Sequence, residues 1–188
     1  FFNGISIGAG VVISTCFGSR NHEKLHEAVE TTTLFAVIVG CFVSLISVWV
    51  VPLMLKWMST PDDVIGQSAL YMRIYFMGMP FFMLYNYGAA ILRAIGDTKR
   101  PLIFLIISGI ANAALNMILV ILFHMGVAGV AIGTIISQLI SCVLVLTCLY
   151  RSEGSYQLRF SKLKINGAYM EQIFQVGVPA GIQSPVIN

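Results

Sequence analysis

No charged residue occurs between Thr31 and Leu55, between Pro101 and Phe123, or between Gly126 and Tyr150. Each stretch is 23 to 25 residues long. As helix that is roughly 35 Å, enough to cross a hydrocarbon core of about 30 Å with some tilt. A fourth stretch, Ser68 to Leu92, carries only Arg73, near its start, where a long side chain can snorkel to the interface. Charged residues are 10% of the whole and hydrophobic ones 57%, whereas soluble domains run at about one quarter charged. These features exclude an ordinary soluble domain. They predict an all-α, polytopic membrane bundle.

The ends of the sequence read as parts of two further spans: "FFNGISIGAGVVISTCF" at the start and "FQVGVPAGIQSPVIN" at the close. The expectation is therefore a fragment with four complete spans and two partial ones. Basic residues fix its orientation. The loops at 18–30, 93–100 and 151–172 hold nine Lys or Arg, and the opposite side holds Lys56 and Arg73. Nine against two places the first set in the cytoplasm of a cell-membrane protein. The same count explains the basic loops without a nucleic-acid partner.

Local signals refine this picture. Gly4 and Gly8 form a small-xxx-small pair, which admits another helix backbone at close range. "SRNHEKLHEAVE" has Leu25, Ala28 and Val29 at helical spacing and reads as a short amphipathic helix on the membrane surface. The following span, Thr31–Leu55, reads as mostly lipid-facing, with Trp49 and Trp57 as an aromatic belt. Ser59 or Thr60 is a candidate cap for the next helix. Pro80, beside Gly78, predicts a kink within Ser68–Leu92. Gly96 suits a left-handed helix end, and Pro101 the first turn of the next helix. The short "HMG" turn makes the last two complete spans antiparallel neighbours. Cys16, Cys41, Cys142 and Cys148 show no ligand spacing and read as small apolar side chains.

Polar residues inside the spans are the candidate site. Ser108, Asn112 and Asn116 recur every fourth residue on one face; Thr134 and Gln138 do the same, with Ser137 and Ser141 beside them. Asn86 is the contribution of the kinked span, and Met79, Met83 and Asn86 share a face there. Facing lipid, such groups have no bonding partner, so they turn toward protein or a watery cavity. The bland alternative is helix–helix glue, worth about 0.6–2 kcal/mol per bond. A cluster spread over neighbouring helices favours a cavity for a solute or ion. The predicted lining is Asn86, Asn112, Asn116, Thr134 and Gln138, with Met79 and Met83 as adaptable apolar contacts.

"HEKLH", from His22 to His26, matches the H-E-x-x-H zinc-peptidase pattern. It lacks a third ligand in a suitable place, and a surface helix accounts for it, so neither a metal nor a catalytic residue is expected. All eight acids read as loop residues. Ion coupling in this half is then expected to use neutral ligands.

Together, "AAILRAIGDTKRPLIF", "ANAALNMILVILFHMGVAGVAIGTIISQ" and "VGVPAGIQS" resemble the multidrug and toxic compound extrusion (MATE) antiporters, in particular the bacterial DinF-like branch. "GISIGAGVVISTCFGSRNHEKLHEAV" is similar to that family's second helix and the loop after it. The resemblance implies twelve helices in two lobes. Helices two to six of the N-terminal lobe would lie in 1–150, the interlobe loop in 151–172 and the start of the second lobe in 173–188. It implies a secondary transporter that exports cationic or amphipathic compounds in exchange for H⁺ or Na⁺, with no other cofactor, by alternating access. Its partners would be those solutes, the lipid bilayer and the second lobe. The family's N-lobe cavity maps onto Asn86, Asn112, Asn116 and Thr134. Many relatives place an aspartate where Asn116 stands, and an amide cannot titrate there. The alternatives are a lipid-linked saccharide flippase of similar architecture, which would need cations in its cleft, and, distantly, a membrane zinc metallopeptidase using His22, Glu23 and His26.

Overall fold

The structure, a computed structural model, describes residues 2–59, 61–154, 156–158 and 165–183. Every regular element among them is helical. These are α1 (Phe2–Gly18), α2 (His22–Trp57), α3 (Asp62–Met77), α4 (Met79–Ala94), α5 (Lys99–Met117), α6 (Gly126–Arg151) and α7 (Gly167–Gln183). A single π-helical turn, Ile118–Leu122, prolongs α5. Three spans are long and apolar enough to cross a membrane by themselves: α2, α5 with its π turn, and α6. The bundle's surface is hydrocarbon to match, with Phe42, Leu45, Trp49, Ile110 and Ile121 all exposed.

Several sequence expectations need correction. Residues 22–30 are neither a loop nor a separate surface helix; they are the first turns of a 36-residue helix. The Asn21 side chain caps it, accepting from the Lys24 amide at 3.1 Å. Leu25, Ala28 and Val29 then pack into the bundle and are buried. Consequently Glu23, Glu27 and Glu30 are helical, as are Asp62 and Asp63 in α3 and Glu171 in α7. Glu30 is only 4% exposed, 3.2 Å from His26 Nε2. The cap of α3 is Pro61, with no side-chain bond, and Ser59 has a positive φ of 53°; Thr60 lies outside the described residues. α7 begins at Gly167, several residues earlier than the expected start of the second lobe.

The kinked span is two helices. α3 ends and α4 begins at Gly78, and Pro80 occupies the first turn of α4, where its missing N–H costs nothing. Gly40 of α2 lets that corner pack closely, since a Cβ there would stand 2.6 Å from Pro80 Cα. At the other end of α4, Gly96 takes φ +91°, and the Asp97 amide donates to the Leu92 carbonyl at 2.9 Å. This is the left-handed helix stop that a side chain would disfavour.

α4 is the centre of the bundle, in contact with α1, α2 and α6, while α5 pairs with α6 as an antiparallel neighbour. One buried cluster joins Ile13, Leu25, Val29, Ile91, Leu92, Val145 and Leu149 near the end rich in Lys and Arg, called here the basic end. The other joins Ile5, Val12, Phe35, Met83, Tyr87 and Ile173. Lipid outside the bundle is as apolar as these side chains, so close packing and polar bonds, not water exclusion, hold the helices together. The glycines show how close that packing is. A Cβ on Gly8 would lie 2.6 Å from the Gly177 nitrogen, and one on Gly4 would meet the backbone of Gly181.

A polar seam beside an aromatic-walled cavity

The α5–α6 contact is built on amides and hydroxyls. Asn112 Nδ2 donates to both Thr134 Oγ1 (3.4 Å) and Ser137 Oγ (3.2 Å). Asn116 Nδ2 donates to Asn112 Oδ1 at 3.1 Å. The two hydroxyls in turn donate to carbonyls of their own helix, Thr134 to Val130 and Ser137 to Thr134. Each hydroxyl thus donates locally and accepts across the interface, which fixes the rotation of α5 against α6.

Two acceptors are left over. Asn116 Oδ1 and Gln138 Oε1 are buried without a hydrogen-bond partner. Leaving such a group unmade costs about 1–3 kcal/mol, so each needs an explanation. Both oxygens point at places where only glycine fits: a Cβ on Gly133 would collide with Asn116 Oδ1, and one on Gly78 would stand 2.6 Å from Gln138 Oε1. The break between α3 and α4 is therefore also what makes room for Gln138.

Gln138, Thr134 and Ser137 line a cavity of about 330 Å³ between α4, α5 and α6, with Phe82, Tyr85 and Ser108 on its other walls. The Tyr85 hydroxyl donates to the Pro101 carbonyl at 3.0 Å, which holds that wall against the start of α5. Asn112 and Asn116 stand behind this cavity, in the α5–α6 seam. Asn86 is elsewhere. It lines a separate groove of about 560 Å³ between α1 and α4, with Ser6, Ser14, Ala90 and Arg93, and its Nδ2 donates to the Phe82 carbonyl at 2.8 Å. Met83 is fully buried in the core against α1 and α2, so the structure makes it packing rather than lining. Met79 is half-buried near Gly40 and lines neither cavity. Phe82, Tyr85 and Arg93 were not among the predicted site residues. Phe82 is four positions before Asn86 and on its face, which was the available signal.

The H-E-x-x-H segment shows no metal geometry. His26 faces Glu30, and among the described residues no three His, Cys, Asp or Glu side chains converge to hold a metal.

The family model named MatE matches residues 1–118, well over half of the chain. The chain belongs to the MATE family. It is 32% identical, over its whole length, to the probable multidrug resistance protein YoeA of Bacillus subtilis (strain 168), covering 42% of that protein. It is 25% identical to the multidrug export protein MepA of Staphylococcus haemolyticus (strain JCSC1435), again over the whole chain and 43% of the relative. The chain thus spans less than half the length of these relatives. Among solved structures it matches a MATE transporter in an inward-facing conformation (TM-score 0.88, 19% identity, 95% of this chain and 41% of that one). It matches one in an outward-facing conformation equally well (TM-score 0.88, 19% identity, 96% and 40%). The fold is that of one lobe of a MATE transporter, and the MATE multidrug proteins are transporters rather than enzymes.

Proposed function

We propose that the chain is the N-terminal lobe of a multidrug antiporter of the cell membrane, with the basic end in the cytoplasm. It would export cationic or amphipathic compounds in exchange for Na⁺ or H⁺. The observation that carries this reading is Gln138 Oε1, a buried, unbonded amide oxygen of a residue that lines a cavity together with Phe82 and Tyr85. An organic cation fits such a place for two reasons. Aromatic faces attract positive charge and apolar bodies alike, and a neutral oxygen accepts from an ammonium N–H without holding it too tightly for release. Asn116, being neutral, suits a direct bond to a metal cation or a solute better than it suits proton exchange. The equal match to inward- and outward-facing relatives supports a lobe that moves as a body.

The test uses the full-length protein in everted vesicles, loaded with a fluorescent organic cation and driven separately by a Na⁺ gradient and a pH gradient. Gln138→Leu removes the free oxygen at similar volume and is expected to weaken export of the cation while membrane abundance stays normal. Unchanged export and apparent affinity would reduce Gln138 to a packing residue. A lipid-linked saccharide flippase is the second reading, and Arg93 on the α1–α4 groove is the feature that favours it. Arg93→Gln with lipid-linked saccharide transport lost and cation export intact would decide for it.

A further inference from the structure

α7 follows the linker between the two lobes, yet it is fastened to the first lobe along its whole length. At the basic end, Asn166 holds three partners at once. Its amide donates to Thr31 Oγ1 at 3.1 Å, its Nδ2 donates to Glu27 Oε2 at 3.1 Å, and its Oδ1 accepts from the Ala168 amide at 3.1 Å. One residue thereby caps α7 and ties it to α2. Midway, Ile173 is fully buried among Ile5, Phe35 and Met83, and the Phe174 ring meets Phe35 edge-on with centroids 5.2 Å apart. Toward the other end the contact becomes backbone on backbone. Gly177 would need to move off Ile5 Cα (2.7 Å) to accept a Cβ, and Gly181 faces Gly4.

The two glycine pairs, Gly4 and Gly8 on α1 and Gly177 and Gly181 on α7, have the same four-residue spacing. Elsewhere in the bundle, side chains of one helix stand between those of the next, so turning one helix against the other means unpacking them. Where glycine faces glycine no side chain stands between the two backbones, and the helices lie in their closest contact. A polar clamp at one end, interlocked side chains midway and backbone contact at the other end hold α7 to α1 as one unit.

We infer that α7 stays docked on α1 throughout the transport cycle, so that the seam of Gly4, Gly8, Gly177 and Gly181 is the axle on which the two lobes turn. The inference rests on the antiporter reading for its cycle, and its test separates the two. In full-length protein without native cysteines, Glu27→Cys and Asn166→Cys are joined by a short bifunctional thiol reagent. Linked protein is expected to export at the rate of the same protein unlinked; loss of export on linking, with abundance unchanged, overturns the axle. Gly8→Leu, which wedges the seam, is expected to lose export, and normal export from that variant overturns it too. Spin labels at Thr15 on α1 and Gln172 on α7, both exposed, decide the matter without any transport assay. Their separation is expected to stay the same with and without the driving ion gradient, while a pair spanning the two lobes shifts. A change between the labels on α1 and α7 refutes a permanent joint. If wild-type protein exports no organic cation, the antiporter reading falls, and the label distances still judge the seam.

Discussion

Gly133 sets how near α6 can come to the amide of Asn116. A methyl group there would strike Asn116 Oδ1, so Gly133→Ala must swing the amide away and break its bond to Asn112. The expected cost is about 1–3 kcal/mol, typical of overpacking a closed site. Thermal unfolding of the solubilised full-length protein reads it, and an unchanged midpoint would mean that the seam is slack. Met83 makes the opposite case. Its side chain is fully buried against three helices, and Met83→Ala is expected to cost about 2–5 kcal/mol through the cavity it leaves. The same unfolding measurement checks it; a Met83→Ala protein of wild-type stability but altered substrate range would return this residue to the binding surface. Single residues were the least legible part of the sequence. Four-residue spacing put Asn112 and Asn116 on one face, and the structure turns that face to Thr134 and Ser137. Spacing could not show which oxygens stay unbonded, because that depends on the axial register of α5 against α6. Met83 looked like lining because it shares a face with Met79, but α1 and α2 cover that face.

Helices were more legible, and the misses have a common cause. The break at Gly78 was written in the chain, because a proline two residues on cannot continue the preceding helix's bonding. The continuity of α2 is hidden in the sequence, since "SRNHEKLHEAVE" gives way abruptly to apolar residues after Thr33. Polarity, however, does not end helices. No glycine or proline lies between His22 and Val39, and that absence was the better guide. Position 78 also yields a test of the link between backbone and site. Gly78→Ala would place its methyl 2.6 Å from Gln138 Oε1 and 3.0 Å from Ile135 Cγ1. It is expected to reduce cation export, measured in everted vesicles, while the protein still reaches the membrane in normal amount. Full export would mean that the Gln138 side chain has freedom to spare.

For the molecule as a whole, the long uncharged runs made the bundle legible, and the basic loops suggested its orientation. What composition could not convey was that the first and last helices described touch each other, since that contact depends on glycines matched across some 170 residues of chain. The chain covers about 40% of the transporter chains whose fold it shares. Expressed alone, the 188-residue chain is expected to insert but to export nothing, and co-expression with the remaining lobe to restore export of a fluorescent cation. Export by the chain alone would mean that it assembles a cleft from copies of itself. The π turn at Ile118–Leu122 carries a different consequence. Its bond from the Phe123 amide to the Ile118 carbonyl closes a loop one residue larger than an α turn. The chain there holds a spare residue, past the polar face and at the end of α5 away from Lys99. Among natural variants, this is where a single-codon deletion would shorten the protein yet leave every residue of the Asn112–Asn116 face in phase.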